Sequence, residues 1–158
     1  MMENIELVVL SFLASAGFAV VFRMEKKLLP LAGLGGALTR IVLILLKTCV
    51  TTNGLLFMLL SAMFASLYAE VMATRMKRPA TVFLYPSIVP LIPGDLLYYA
   101  TVGALTSNTE QVAHYGPACL QAVCGMAVGF VIISTLMHYR NGGHLLPLSS
   151  LLPVKKRK

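Results

Sequence analysis

Charge is what this chain has least of: 12% of its 158 residues are charged and 58% are hydrophobic, with a mean hydropathy of +0.81. A soluble domain of this length carries roughly a quarter charged residues. So sparse a polar complement cannot cover a water-facing globule, and lipid is the natural solvent for the long apolar runs. Cysteine and histidine are scarce too, at three each. Cys49, Cys119 and Cys124 lie in or beside apolar segments at spacings that match no metal or redox motif, which leaves them as packing residues. His114, His138 and His144 form no spaced pair, so neither a metal site nor a cofactor is expected. No catalytic residue is expected either. An intramembrane protease needs a second deep aspartate beside Asp95, a Gly-x-Ser-Gly segment or a His-Glu-x-x-His helix, and the chain has none of these. No lysine or arginine precedes the first apolar run, whereas a cleavable signal peptide needs a basic start. That run is therefore expected to be retained.

What is present reads as an all-α membrane protein with about five transmembrane helices over residues 1–138, followed by a basic tail, 139–158. The spans are expected at about 5–22, 28–46, 54–74, 80–105 and 117–138. The second rises roughly 28 Å as a helix, close to the thickness of a bilayer core. Pro117 suits the start of the fifth, because a proline lacks a donor that is unpaired at that position anyway. The fourth is broken. Pro79, Pro86, Pro90 and Pro93, with Gly94, divide it into two half-helices of about 14–16 Å, which together cross once.

The basic residues give the orientation. They cluster at 23–27, 75–78 and 140–158, and basic residues favour the cytoplasmic flanks of membrane helices. Five crossings with the N-terminus outside and the C-terminus cytoplasmic put every cluster in the cytoplasm. A re-entrant fourth segment would carry Arg140 and Lys155-Lys156-Arg157-Lys158 outside, against that rule. The tail is expected to touch anionic lipid or to fix topology. The net charge of +7 follows the membrane edge and calls for no nucleic-acid partner.

Ionisable residues at membrane depth are costly unless they find a partner or water, so they mark candidate sites. Arg40 and Asp95 are the deep ones. Two roles compete for Arg40: a structural ion pair with Asp95, or the cationic wall of a cavity that binds an anion. Pro90 and Pro93 remove backbone donors and free carbonyls, an irregularity tolerated at this depth where it lines a cavity. Past Gly94 a second half-helix begins with its positive end near the bilayer centre and Asp95 in its first turn. Arg40, Pro90, Pro93, Gly94 and Asp95 are thus the candidate binding residues for a small substrate bearing a carboxylate. Glu70, in the last turn of the third span, is expected to pair with the nearby basic cluster; it and Asp95 are also the candidates for proton coupling.

Small residues recur every fourth position at Ser61, Ala65, Ala69 and Ala73 on the third span, and Ala118, Ala122, Gly125 and Gly129 make a similar stripe on the fifth. They predict helix-packing faces. Gly33, Gly35 and Gly36 allow close approach or a bend on the second. They are no phosphate loop, since no strand precedes them and no lysine-threonine pair follows.

The stretch Arg78-Pro-Ala-Thr-Val-Phe-Leu-Tyr-Pro-Ser-Ile-Val-Pro-Leu-Ile-Pro-Gly94, followed by Leu97-Tyr98-Tyr99, resembles the signature of the bacterial threonine/serine exporter family. Gly17-Phe18-Ala19 with Phe22, and Leu31-Ala32-Gly33-Leu34-Gly35-Gly36-Ala37, are similar to that family's first two spans. The resemblance covers nearly all of the chain through Met137, and points to the small five-helix subunit of the split form. It implies a larger membrane subunit as partner, the bacterial cytoplasmic membrane as location, and ion-driven export of threonine or serine. Some split members are linked with dicarboxylates, so a succinate-type substrate is the competing implication. A membrane scaffold that only stabilises a neighbour is a further alternative.

Overall fold

The structure, a computed structural model, describes residues 2–49 and 54–140. Among them there is no strand, and six helices follow one another: α1 (Met2–Val21), α2 (Leu29–Cys49), α3 (Gly54–Met76), α4 (Ala80–Ile88), α5 (Gly94–Leu105) and α6 (Thr109–Arg140). Four of these, α1, α2, α3 and α6, are long and apolar enough to cross a membrane, and α4 with α5, bent by 59° at their junction, make a fifth if they count as one span. The protein is an all-α membrane protein with a broken fourth element. Of the expected tail, Tyr139 and Arg140 complete α6, while 141–158 lie outside the described residues.

Helix α6 begins at Thr109, eight residues before the expected start, and Pro117 sits inside it. The reason is local. The Asn108 side chain accepts a hydrogen bond from the Gln111 amide at 3.2 Å, and Glu110 in the first turn suits the positive end of the helix dipole. Tyr115 then stacks on Tyr99 of α5, at 5.1 Å between ring centroids, which holds the early turns in place. A proline inside a membrane helix is tolerated when neighbouring helices support the interrupted ladder.

Three helices end alike. The amides of Met24, Arg78 and Asn108 reach back five residues to the carbonyls of Ala19, Ala73 and Gly103, at 3.0, 3.1 and 2.8 Å. The residues before them, Arg23, Lys77 and Ser107, take positive φ of 54°, 53° and 56°. Glycine usually fills this left-handed position. At Arg23 and Lys77 the chain keeps a cation there, at the end of an apolar helix.

Between helices in lipid there is no hydrophobic drive, so close packing carries the association. The broadest contact joins α3 and α6, which run parallel: Gly125 lies over Leu55 and Met58, and Gly129 over Leu59 and Ala62. A Cβ at Gly129 would stand 2.5 Å from the Leu59 carbonyl oxygen, so the two backbones touch there. Another face of α3 packs elsewhere: Ala69 and Ala73, with Phe83 of α4 and Leu28, form one buried cluster, and Ala65 is fully buried. The two small-residue stripes therefore do not simply face each other along their length. Helix α2 approaches α1 where Gly36 meets Ser15, and approaches α4 where Gly35 meets Ser87. The Tyr68 hydroxyl donates to the Leu31 carbonyl at 2.6 Å and ties α3 to α2.

The broken element changes neighbours at its break. Helix α4 packs on α2 and α3, whereas α5 packs on α6. The start of α4 lies with the later turns of α6, at Phe130 to Thr135, and the end of α5 leads into the first turn of α6. The bent pair therefore travels from one end of the bundle to the other. An Arg78–Glu25 ion pair joins the α1–α2 and α3–α4 connections at the end where α4 starts.

Candidate functional site

The break follows from which residues lack a backbone donor. Pro90 cannot donate to the Pro86 carbonyl, and the Val89 amide takes that carbonyl instead, tightening the chain into a 3₁₀ turn over Val89–Leu91. Pro93 cannot donate to the Val89 carbonyl, and the Ile92 amide takes it at 3.3 Å. Pro93 itself, at φ −81° and ψ 61°, is the centre of an inverse γ-turn closed by the Gly94 amide on the Ile92 carbonyl at 2.9 Å. Helix α5 resumes with the Leu97 amide on the Pro93 carbonyl at 3.0 Å, and no side chain caps its N-terminus.

Around this break lies a cavity of about 270 Å³ between α2, α3, α5 and α6. Helix α2 contributes Arg40, Leu43 and Lys47, which share a face because they stand three and seven residues apart. Pro90, Pro93 and Asp95 line the opposite wall, and Gln121 of α6 completes the polar set. Arg40 is about 16 Å along α2 from Leu29, and Pro90 about 15 Å along the chain from the start of α4. With both helices starting at the same end, both residues come to about half the depth of a ~30 Å hydrocarbon core.

Four of the five expected binding residues, Arg40, Pro90, Pro93 and Asp95, thus come together. Gly94 sits between two of them but faces open space, since a Cβ there would meet nothing within 4 Å. Arg40 and Asp95 share the cavity without forming an ion pair; among the described residues the one ion pair is Arg78–Glu25. The Arg40 Nε is buried and has no hydrogen-bond partner, while Asp95 is exposed. Among the described residues no ion pair neutralises this guanidinium, and a carboxylate is its natural partner, with two parallel hydrogen bonds available. Lys47 stands 5.5 Å from the centre of the Phe57 ring, which steadies a second cation at the cavity's edge.

Glu70 is elsewhere. It lines a separate cavity between α3, α4 and α6, and it makes no ion pair with the basic cluster among the described residues; Arg78 of that cluster pairs with Glu25 instead. The two coupling candidates, Asp95 and Glu70, therefore belong to different cavities. Sequence reasoning passed over Lys47 and Gln121 as site residues. The seven-residue spacing from Arg40 to Lys47 carries a signal for the first, but nothing local marks Gln121, which arrives through the contact of α6 with the break.

Against known families, the description that matches is Threonine/Serine exporter, ThrE, over residues 7–136. No curated protein and no solved structure matches the chain.

Proposed function

Since the chain belongs to the threonine/serine exporter family, we propose that this integral protein of the bacterial cytoplasmic membrane is the small subunit of a two-component exporter, with threonine or serine as cargo. The observation that carries the reading is Arg40, whose buried Nε has no partner among the described residues, sharing with Asp95 a cavity at a helix break. An amino acid is a zwitterion. Its carboxylate suits Arg40 and the uncapped start of α5, and its ammonium suits Asp95. Export then proceeds by alternating access, with the bend at Pro90–Gly94 as the element that reorients.

A larger membrane subunit is the proposed partner. Five crossings placed opposite a second half give the inverted arrangement common among transporters, and the exposed face of α5, with Leu97 and Tyr98, is available to it. The orientation with the N-terminus outside is supported by the gathering of Arg23, Lys26, Lys27, Arg75, Lys77 and Arg78 at one end of the bundle. A second reading, a dicarboxylate of the succinate type, is favoured by the two cations Arg40 and Lys47, one for each carboxylate; Asp95 opposes it by repulsion.

Efflux from preloaded cells tests this. Cells that co-express the chain with the larger subunit are expected to release labelled threonine faster than cells with either alone, and to release labelled succinate no faster. Accelerated succinate efflux with threonine unchanged would transfer the assignment to the second reading. Equal efflux in all three strains, with both chains verified in the membrane, would leave a scaffold role.

A further inference from the structure

A groove of about 340 Å³ lies between the end of α1 and the first turns of α4, and it has no role in the binding scheme above. Helix α1 packs broadly on α2 and only sparsely on α4, and the space between α1 and α4 is left unfilled. The walls of this space are apolar. Ala19 and Phe22 come from the end of the first span, Leu28 from the turn before α2, and Val82 and Tyr85 from α4. Phe22 stacks on Tyr85 across the groove, at 5.6 Å between ring centroids, yet both stay about half exposed, at 57% and 49%.

Charge is confined to one end. Arg23, Glu25 and Arg78 line the rim, and Lys26, Lys27 and Lys77 adjoin them in the chain. Five cations therefore gather around one carboxylate, and that carboxylate is committed to the Arg78–Glu25 ion pair. Tyr85 lies about 8 Å inside the start of α4, so the groove runs from the charged rim to the depth where head groups give way to acyl chains. Such a surface complements a molecule with negative charge at one end and hydrocarbon at the other. A soluble anion would leave the apolar walls bare, and a neutral lipid would leave the surplus of cations without a counter-charge.

We propose that this groove binds one anionic phospholipid, with its phosphate on Arg23 and Arg78 and the upper part of an acyl chain against Phe22, Val82 and Tyr85. Basic pockets between membrane helices are suited to anionic head groups, and each lysine or arginine near the surface adds to the attraction. Glu25 then competes with the phosphate for Arg78, so the bound lipid loosens the tie that the ion pair makes between the α1–α2 and α3–α4 connections. The lipid site does not depend on the exporter reading.

Thermal unfolding of the full chain in a neutral detergent reads the site, with phosphatidylglycerol, phosphatidylcholine or free glycerol phosphate added at equal concentration. Phosphatidylglycerol is expected to raise the midpoint saturably, by about 5 °C at roughly a hundred times its Kd, and the other two to raise it little. Arg23→Gln and Arg78→Gln are each expected to weaken the apparent lipid affinity by about fivefold. Glu25→Gln removes the competing carboxylate and should strengthen it. A purely structural ion pair would behave otherwise, with Glu25→Gln and Arg78→Gln lowering the midpoint alike and lipid affinity unchanged. Glutamine at positions 155 to 158 controls for loose attraction to the basic tail, and the shift should persist there. Equal midpoints with phosphatidylglycerol and phosphatidylcholine would overturn the site. So would a shift that survives in the Arg23→Gln/Arg78→Gln double variant, one that vanishes with the tail charges alone, or one that glycerol phosphate reproduces in full. Should Arg78→Gln fail to fold, Arg23→Gln and the three-compound comparison still decide.

Discussion

Replacing Arg40 by glutamine is expected to lower threonine efflux by about ten- to a hundredfold, the effect of losing a charge-assisted contact to a carboxylate. Its effect on stability should be small, and this contrast carries the argument. Removing one partner of a buried ion pair destabilises a protein by about 3–5 kcal/mol, because a naked charge remains. Arg40 has no such partner among the described residues, and its buried Nε is unsatisfied. Arg40→Leu should therefore leave the thermal midpoint of the purified chain unchanged or raise it, while efflux falls as in Arg40→Gln. A midpoint that drops sharply in both variants would mark Arg40 as structural, and full efflux in an assembled Arg40→Gln complex would remove it from the cavity's chemistry.

The second large effect concerns assembly of the bundle. Gly129→Leu is expected to destabilise the chain by about 3 kcal/mol or more, at or beyond the upper end of what overpacking costs in a tight core. The clash is with backbone, which cannot swing aside: the first added carbon would stand 2.5 Å from the Leu59 carbonyl oxygen and 2.9 Å from the Ala62 Cβ. Helices α3 and α6 must then separate along their whole contact. Val128, one residue earlier, is exposed at 48% and faces away from that seam, so Val128→Leu serves as the control and should be neutral. Denaturant unfolding of the two variants side by side checks the difference; equal stability would mean that the seam is looser than its geometry indicates.

How much of this was legible in the sequence depends on how far apart the causes lie. The broken element was, because a proline's missing donor acts within four residues, and Pro90 and Pro93 dictate the 3₁₀ turn and the γ-turn wherever they stand. The start of α6 was not, because Pro117 looks like a helix start while the true cap, Asn108, lies in a polar stretch that hydropathy passes over. The small-residue stripes announced close packing but not their partners. Gly129 meets α3, whereas Ala69 and Ala73 of α3 meet Phe83 of α4, and only the parallel course of α3 and α6 decides that. For the cavity, Arg40 and Asp95 were marked by the cost of charge at depth, yet whether they pair is a question of distance across the bundle. Gln121 was beyond reach for the same reason, since it is ordinary on its own helix.

The central claim, that the cavity at the helix break holds the amino acid, is tested most directly by substrate protection at a single introduced thiol. Gln121→Cys, in a chain whose Cys49, Cys119 and Cys124 are replaced by serine, is labelled in membranes containing both subunits, with and without threonine. Threonine is expected to slow labelling at position 121 and to leave an outward-facing control, Val128→Cys, unaffected. Equal labelling rates at position 121 with and without saturating threonine, in a complex that still exports it, would contradict the claim.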